Sequence, residues 1–136
     1  MGQPAAKAND RIVATDTHIV MAPAGPSLVP TPLPHSFSGL LTGGLASSVR
    51  IGGQLAAVVG STADNTPAHL PAPPGVSFQK PPTNKATIQT GSTSVRIEGK
   101  AAARNGDGAT TCNDPTDLPV GSIVSGSLDV KIGPGP

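Results

Sequence analysis

Apolar and polar residues alternate sharply between Thr93 and Glu98, where Val95 and Ile97 stand between Thr93, Ser94, Arg96 and Glu98. A period of two is the mark of a strand with one buried face. Gly99 then supplies the backbone freedom for a tight turn, and Ala101 to Ala103 return with little side-chain bulk. The glycine-rich segment Asn105-Gly106-Asp107-Gly108 follows and leads to Cys112, the chain's single cysteine.

The same order of residue types occurs earlier, from Ser48 through Val49, Arg50, Ile51, Gly52, Gly53, Gln54 and Leu55 to Ala56 and Ala57. A partial copy, Gly126 to Gly133, lies near the end of the chain, and Pro4 to Asp10 resembles the second half of the unit. The pattern therefore predicts hairpins near 48–60, 93–106 and 122–133, with one unit split between the two ends. Units of this kind bury their apolar faces against one another.

Elsewhere the pattern predicts short strands around Ile12 and around Ile19. Two proline-rich stretches, Ala22 to Pro34 and Pro71 to Pro82, read as rigid extended loops laid over the hairpins. No segment has the periodicity of an amphipathic helix. The expectation is an all-β fold, a single domain over 1–136 with no extension domain and no room for a fused toxin.

Composition makes the core a problem. With 17 glycines, 16 prolines, two phenylalanines and no tyrosine or tryptophan in 136 residues, little apolar bulk is available. The formal net charge of +1 removes the self-repulsion that keeps disordered chains open, so folding requires a staple rather than being excluded. One cysteine cannot form an internal disulfide. The first residues lack a signal-peptide core, and no run spans a bilayer, so assembly in a reducing cytoplasm is expected. Near-neutral charge without aromatic platforms excludes ordinary nucleic-acid binding.

Three histidines and one cysteine, His18, His35, His69 and Cys112, match in number and type the four N/S donors of a closed tetrahedral zinc site. Binding energy at such a site counts as folding energy, which answers the thin core. Their spacing matches no compact finger motif, and solvated loop histidines with a buried apolar cysteine are the plain alternative. No nucleophile elbow or phosphate loop is present, and Asp16 beside His18 forms a catalytic dyad only on paper. A metal with four protein ligands has no open position for substrate, so no enzymatic activity is expected.

Pro4-Ala5-Ala6-Lys7, Gly99 to Asp107 and Ile123 to Ser127 resemble the Pro-Ala-Ala-Arg repeat (PAAR) proteins that cap the central spike of type VI secretion systems and related contractile injection particles. The first motif ends in Lys7 rather than arginine, the second reads Leu55-Ala56-Ala57-Val58, and the third begins with Ala101 rather than proline. The resemblance implies a small pseudo-threefold β cone with one structural zinc ion, iron being the other metal left open, held by His18, His35, His69 and Cys112. It further implies one copy on a trimeric spike protein, monomeric when free. It implies transient contact with a target membrane, no small-molecule substrate, and delivery with the particle on firing. A free-standing zinc-stabilised binding module or adhesin is the other reading.

Overall fold

The computed structural model describes residues 2–133; Met1 and residues 134–136, the ends of the expected 1–136 domain, lie outside the described residues. Every element is a strand. In chain order they are β1 (Gln3–Pro4), β2 (Arg11–Ala24), β3 (Ser27–Gly43), β4 (Arg50–Ile51), β5 (Gln54–Leu55), β6 (Thr62–Asn65) and β7 (Ser77–Phe78). There follow β8 (Lys85–Ile88), β9 (Arg96–Ile97), β10 (Lys100–Ala101), β11 (Gly108–Thr111), β12 (Leu118–Ile123) and β13 (Lys131–Ile132). Among the described residues no helix is long and apolar enough to cross a membrane.

Six of these strands close on themselves. The order β12-β11-β8-β6-β3-β2 is completed by a further pairing of β12 with β2, through Ser122 opposite Val13 and Ile123 opposite Ile12. All pairings are antiparallel. Closure leaves this ring without the open edges that a flat sheet would present where the strands are paired.

Each pair of ring strands follows one motif. Pro4-Ala5-Ala6-Lys7 precedes β2 and β3; Leu55-Ala56-Ala57-Val58 precedes β6 and β8; Ala101-Ala102-Ala103-Arg104 precedes β11 and β12. The motifs are tied together by a cycle of backbone hydrogen bonds. Ala6 N–H donates to Ala103 O at 3.0 Å, Ala103 N–H to Ala57 O at 3.0 Å, and Ala57 N–H to Ala6 O at 3.1 Å. A second cycle runs from Ala8 N to Leu55 O, Val59 N to Ala101 O and Asn105 N to Pro4 O. Three chain segments thus meet in a repeating threefold pattern of bonds.

The alanine pairs follow from that geometry. Successive residues of an extended chain face opposite sides. Ala6, Ala57 and Ala103 join the larger core with Ile12, Phe37, Leu41, Ile88 and Ile123, while Ala5, Ala56 and Ala102 join a second core with Ile51, Ile97 and Ile132. All six alanines are fully or almost fully buried. A methyl group is what fits where three backbones converge on two cores.

The partners of the last motif position explain why Lys7 and Val58 can stand where Pro-Ala-Ala-Arg has arginine. Lys7 Nζ lies 3.0 Å from Asp10 Oδ1, and Arg104 grips Asp107 through Nε (3.0 Å) and Nη2 (2.9 Å). In the second unit both partners are neutral: Val58 replaces the cation, and Ser61 Oγ accepts the Val58 N–H at 3.0 Å, as Asp107 accepts that of Arg104 at 2.7 Å. A buried cation and its acid stand or fall together. Arg104→Val alone is expected to cost about 3 kcal/mol by stranding Asp107. Arg104→Val with Asp107→Ser, copying the second unit, should recover most of that in a denaturant melt; a double variant as weak as the single one would refute the pairing argument.

Three expectations are corrected. The proline-rich stretch 22–34 is not a loop: β2 and β3 form one ladder from Arg11 opposite Leu40 to Ala24 opposite Ser27. Pro30, Pro32 and Pro34 stand at alternate positions, opposite Met21, Ile19 and Thr17, where a strand's N–H points away from its partner and none is needed. The strands expected separately around Ile12 and Ile19 are accordingly one, β2. The unit expected as a hairpin at 122–133 is assembled from both chain ends, β13 pairing with β1 while Ser122 and Ile123 belong to the ring. The other two units are local hairpins, β4 with β5 and β9 with β10. The second proline-rich stretch holds only β7, paired to β2 at Val20 and Met21.

Candidate metal centre

The long ladder of β2 and β3 sets the first donors. Asp16 and His18 are two apart on β2 and so share its buried face, and His35 on β3 stands opposite Asp16. His69 arrives from the segment after β6. Its N–H donates to Asn84 Oδ1 at 2.8 Å, and the Asn65 amide lies 3.1 Å from its Nδ1. Cys112 follows β11 directly. The residues after it are stitched to β2: Asn113 Oδ1 accepts Thr17 N–H at 2.7 Å, and Asp114 Oδ2 accepts Ile19 N–H at 2.9 Å.

These segments bring Asp16, His18, His69 and Cys112 together, each buried, with one ligand atom apiece and all four atoms within 4.8 Å of one another. His69 Nε2 is 3.0 Å from Asp16 Oδ2. Cys112 Sγ is 3.5 Å from Asp16 Oδ2 and 3.5 Å from His18 Nε2. Bonds of about 2.0–2.3 Å to one tetrahedral ion would separate neighbouring ligand atoms by about 3.3–3.8 Å. The two Cys112 distances fall in that range and the His69–Asp16 distance is shorter; two imidazoles, a thiol and a carboxylate gathered this closely could hold a metal ion, and the ion would supply a fixed cross-link between β2, the His69 segment and the β11 exit.

Three of the four expected ligands, His18, His69 and Cys112, therefore meet. His35 is adjacent but engaged elsewhere. Its ring centroid is 5.4 Å from that of His18 and 5.5 Å from that of His69. Its Nε2 accepts Ala72 N–H at 3.1 Å, and Nδ1 lies 2.9 Å from Leu33 O, to which it donates. Asp16 takes the fourth place in the cluster. The signal for it was its spacing of two from His18 on a strand, which puts both side chains on one face.

Burial governs the electrostatics. It pushes the Cys112 thiol up, and the neighbouring Asp16 carboxylate pushes it further the same way. A divalent cation would reverse that penalty by holding the thiolate. Burial also draws His18 below its ordinary value, against the pull of Asp114. His18 Nδ1 lies 3.4 Å from Asp114 Oδ2 without a hydrogen bond among the described residues, and Asp114 Oδ1 is likewise unbonded, with exposed Lys80 3.7 Å away. A carboxylate behind the outer nitrogen of a ligating histidine orients the ring for metal. A surface cavity of about 490 Å³ borders His35 and His69 and joins the cluster's flank to solvent.

Fold and site together define an all-β protein built on a closed strand ring, with a buried Asp/His/His/Cys group able to hold a metal ion. Residues 79–136 match the family model described as the PAAR motif, and the chain is consistent with a PAAR-repeat protein. The matched stretch holds the third motif, Cys112 and β13. The motif points to a spike-tip-associated protein of contractile injection systems. No curated protein and no solved structure matches the chain.

Proposed function

We propose that the chain caps the trimeric central spike of a contractile injection machine, of the type VI secretion kind or a related particle, and forms the point that punctures a target membrane. The observation that carries the reading is the threefold cycle of motif hydrogen bonds in a chain whose last part matches the PAAR motif. One polypeptide with three quasi-equivalent faces can sit on a true threefold axis, which a monomer without internal repetition cannot do without mismatch.

The role is mechanical rather than catalytic. A spike driven by a contracting sheath needs an end that does not unfold under load, and a buried ion cross-linking β2, the His69 segment and the β11 exit would stiffen three segments that are far apart in the chain. Zinc suits this task because it accepts nitrogen, sulfur and oxygen ligands in tetrahedral geometry and is not redox-active. The end of the long β2–β3 ladder suits contact with lipid: from Thr17 to Pro34 the chain carries no Asp, Glu, Lys or Arg, and Leu28 and Val29 are exposed there. The cap is monomeric before docking, takes no small-molecule substrate, and leaves the cell on the particle when it fires.

The test is stoichiometry. Mixed with its cognate spike protein, the chain is expected to give a complex of one copy per trimer by native mass spectrometry. Three copies per trimer, or no complex, would defeat the cap reading.

A further inference from the structure

We infer that the solvent faces of the three two-stranded units form a docking surface for a trimeric protein end that offers one carboxylate per subunit. This rests on the spike-cap reading and adds to it the chemistry of the partner.

Arg50, Arg96 and Lys131 hold the same place in the three units. Each directly precedes the isoleucine that enters the second core, Ile51, Ile97 or Ile132. Each directly follows a valine whose carbonyl accepts from the second residue of a motif at 3.0 Å: Val49 from Ala56, Val95 from Ala102 and Val130 from Ala5. Because side chains alternate across a strand, inward isoleucines turn all three cations to the opposite face, and all three are exposed. Arg50 Nη1 donates to Gly53 O and Arg96 Nη1 to Gly99 O, both at 3.3 Å, so two of the guanidinium groups are held in the same pose by their own turns.

No acid on the described chain answers these charges. None of the three cations is in an ion pair among the described residues, whereas Lys7, Lys80, Lys85 and Arg104 all are. Glu98, the acid in the β9–β10 turn, already accepts the N–H of Ser48 at 2.7 Å and its hydroxyl as well. Three unanswered cations at equivalent positions call for three anions with the same repetition. A homotrimer provides that with a single Asp or Glu in its sequence, and steering by such a ring speeds encounter and sets orientation. An acidic peptide or an anionic lipid surface has no threefold repetition to match.

The experiment uses the metal-loaded full chain and its purified cognate trimeric spike, with affinity measured by calorimetry. Affinity should fall at least about tenfold between about 50 and about 300 mM salt. The triple variant Arg50→Glu, Arg96→Glu, Lys131→Glu should lose at least about a hundredfold, with an unchanged melting midpoint. Changing the trimer's acidic ring to lysine should restore binding to that variant. If the triple variant folds poorly, Arg50→Gln, Arg96→Gln, Lys131→Gln removes the charge without reversing it and carries the same comparison. Equal, salt-independent affinity for wild type and variant would overturn the charge inference while leaving the cap reading intact. No binding by the wild type would overturn both.

Discussion

Cys112→Ser is expected to leave the purified chain with well under one metal ion per molecule and to lower its melting midpoint by at least about 15 °C. The substitution keeps the shape of a buried side chain and removes only the sulfur ligand, so packing is nearly unchanged. Structural zinc contributes about 10–16 kcal/mol in finger peptides, and a domain's whole net stability is about 5–15 kcal/mol, so weakening the site takes a large share of what holds the fold. Two companion variants decide the ligand set. If the cluster found here is the site, Asp16→Asn reduces metal content more than His35→Ala. If His35 leaves Ala72 and completes a three-histidine set, the order reverses. Elemental analysis with thermal melts reads both, and metal-free wild type melting like the loaded protein would remove the staple altogether.

The second large effect belongs to the alanine cycle. Ala57→Leu is expected to cost about 3 kcal/mol and to lower the midpoint by roughly 10 °C, because overpacking is expensive where backbone stands on every side. Ala57 is 1 % exposed, and its N–H and carbonyl are both committed to the neighbouring motifs. The control is Ser47→Leu, at the exposed position equivalent to Leu128, which is 97 % exposed in its own unit. There the midpoint should barely move. Similar melts for both leucine variants would show that the cycle is not tightly packed.

What could be read in the residues beforehand was whatever depends on local alternation and turn chemistry. The units around Arg50–Leu55 and Arg96–Ala101 are of this kind, as is the split unit, whose halves at Pro4 and Ile132 each keep part of the motif. What escaped depends on partners. Prolines at 30, 32 and 34 look like breakers until a ladder shows that the missing N–H groups all fall on the side away from β2. Asp16 looked like half of a dyad because its neighbours His69 and Cys112 arrive from segments far along the chain. The pairing of Arg104 with Asp107, and its neutral counterpart Val58 with Ser61, was hidden in the same way by treating the motif's last residue alone.

The cycle of bonds through Ala6, Ala57 and Ala103 also limits how this architecture can grow. A stacked solenoid lengthens by adding repeats at its end, but a circuit in which each member donates to one neighbour and accepts from the other has no terminus to extend. Duplicating a unit within the gene would therefore produce a misfit rather than a taller molecule, and diversity in size has to come from the excursions between motifs, as the seventeen-residue strand β3 already illustrates.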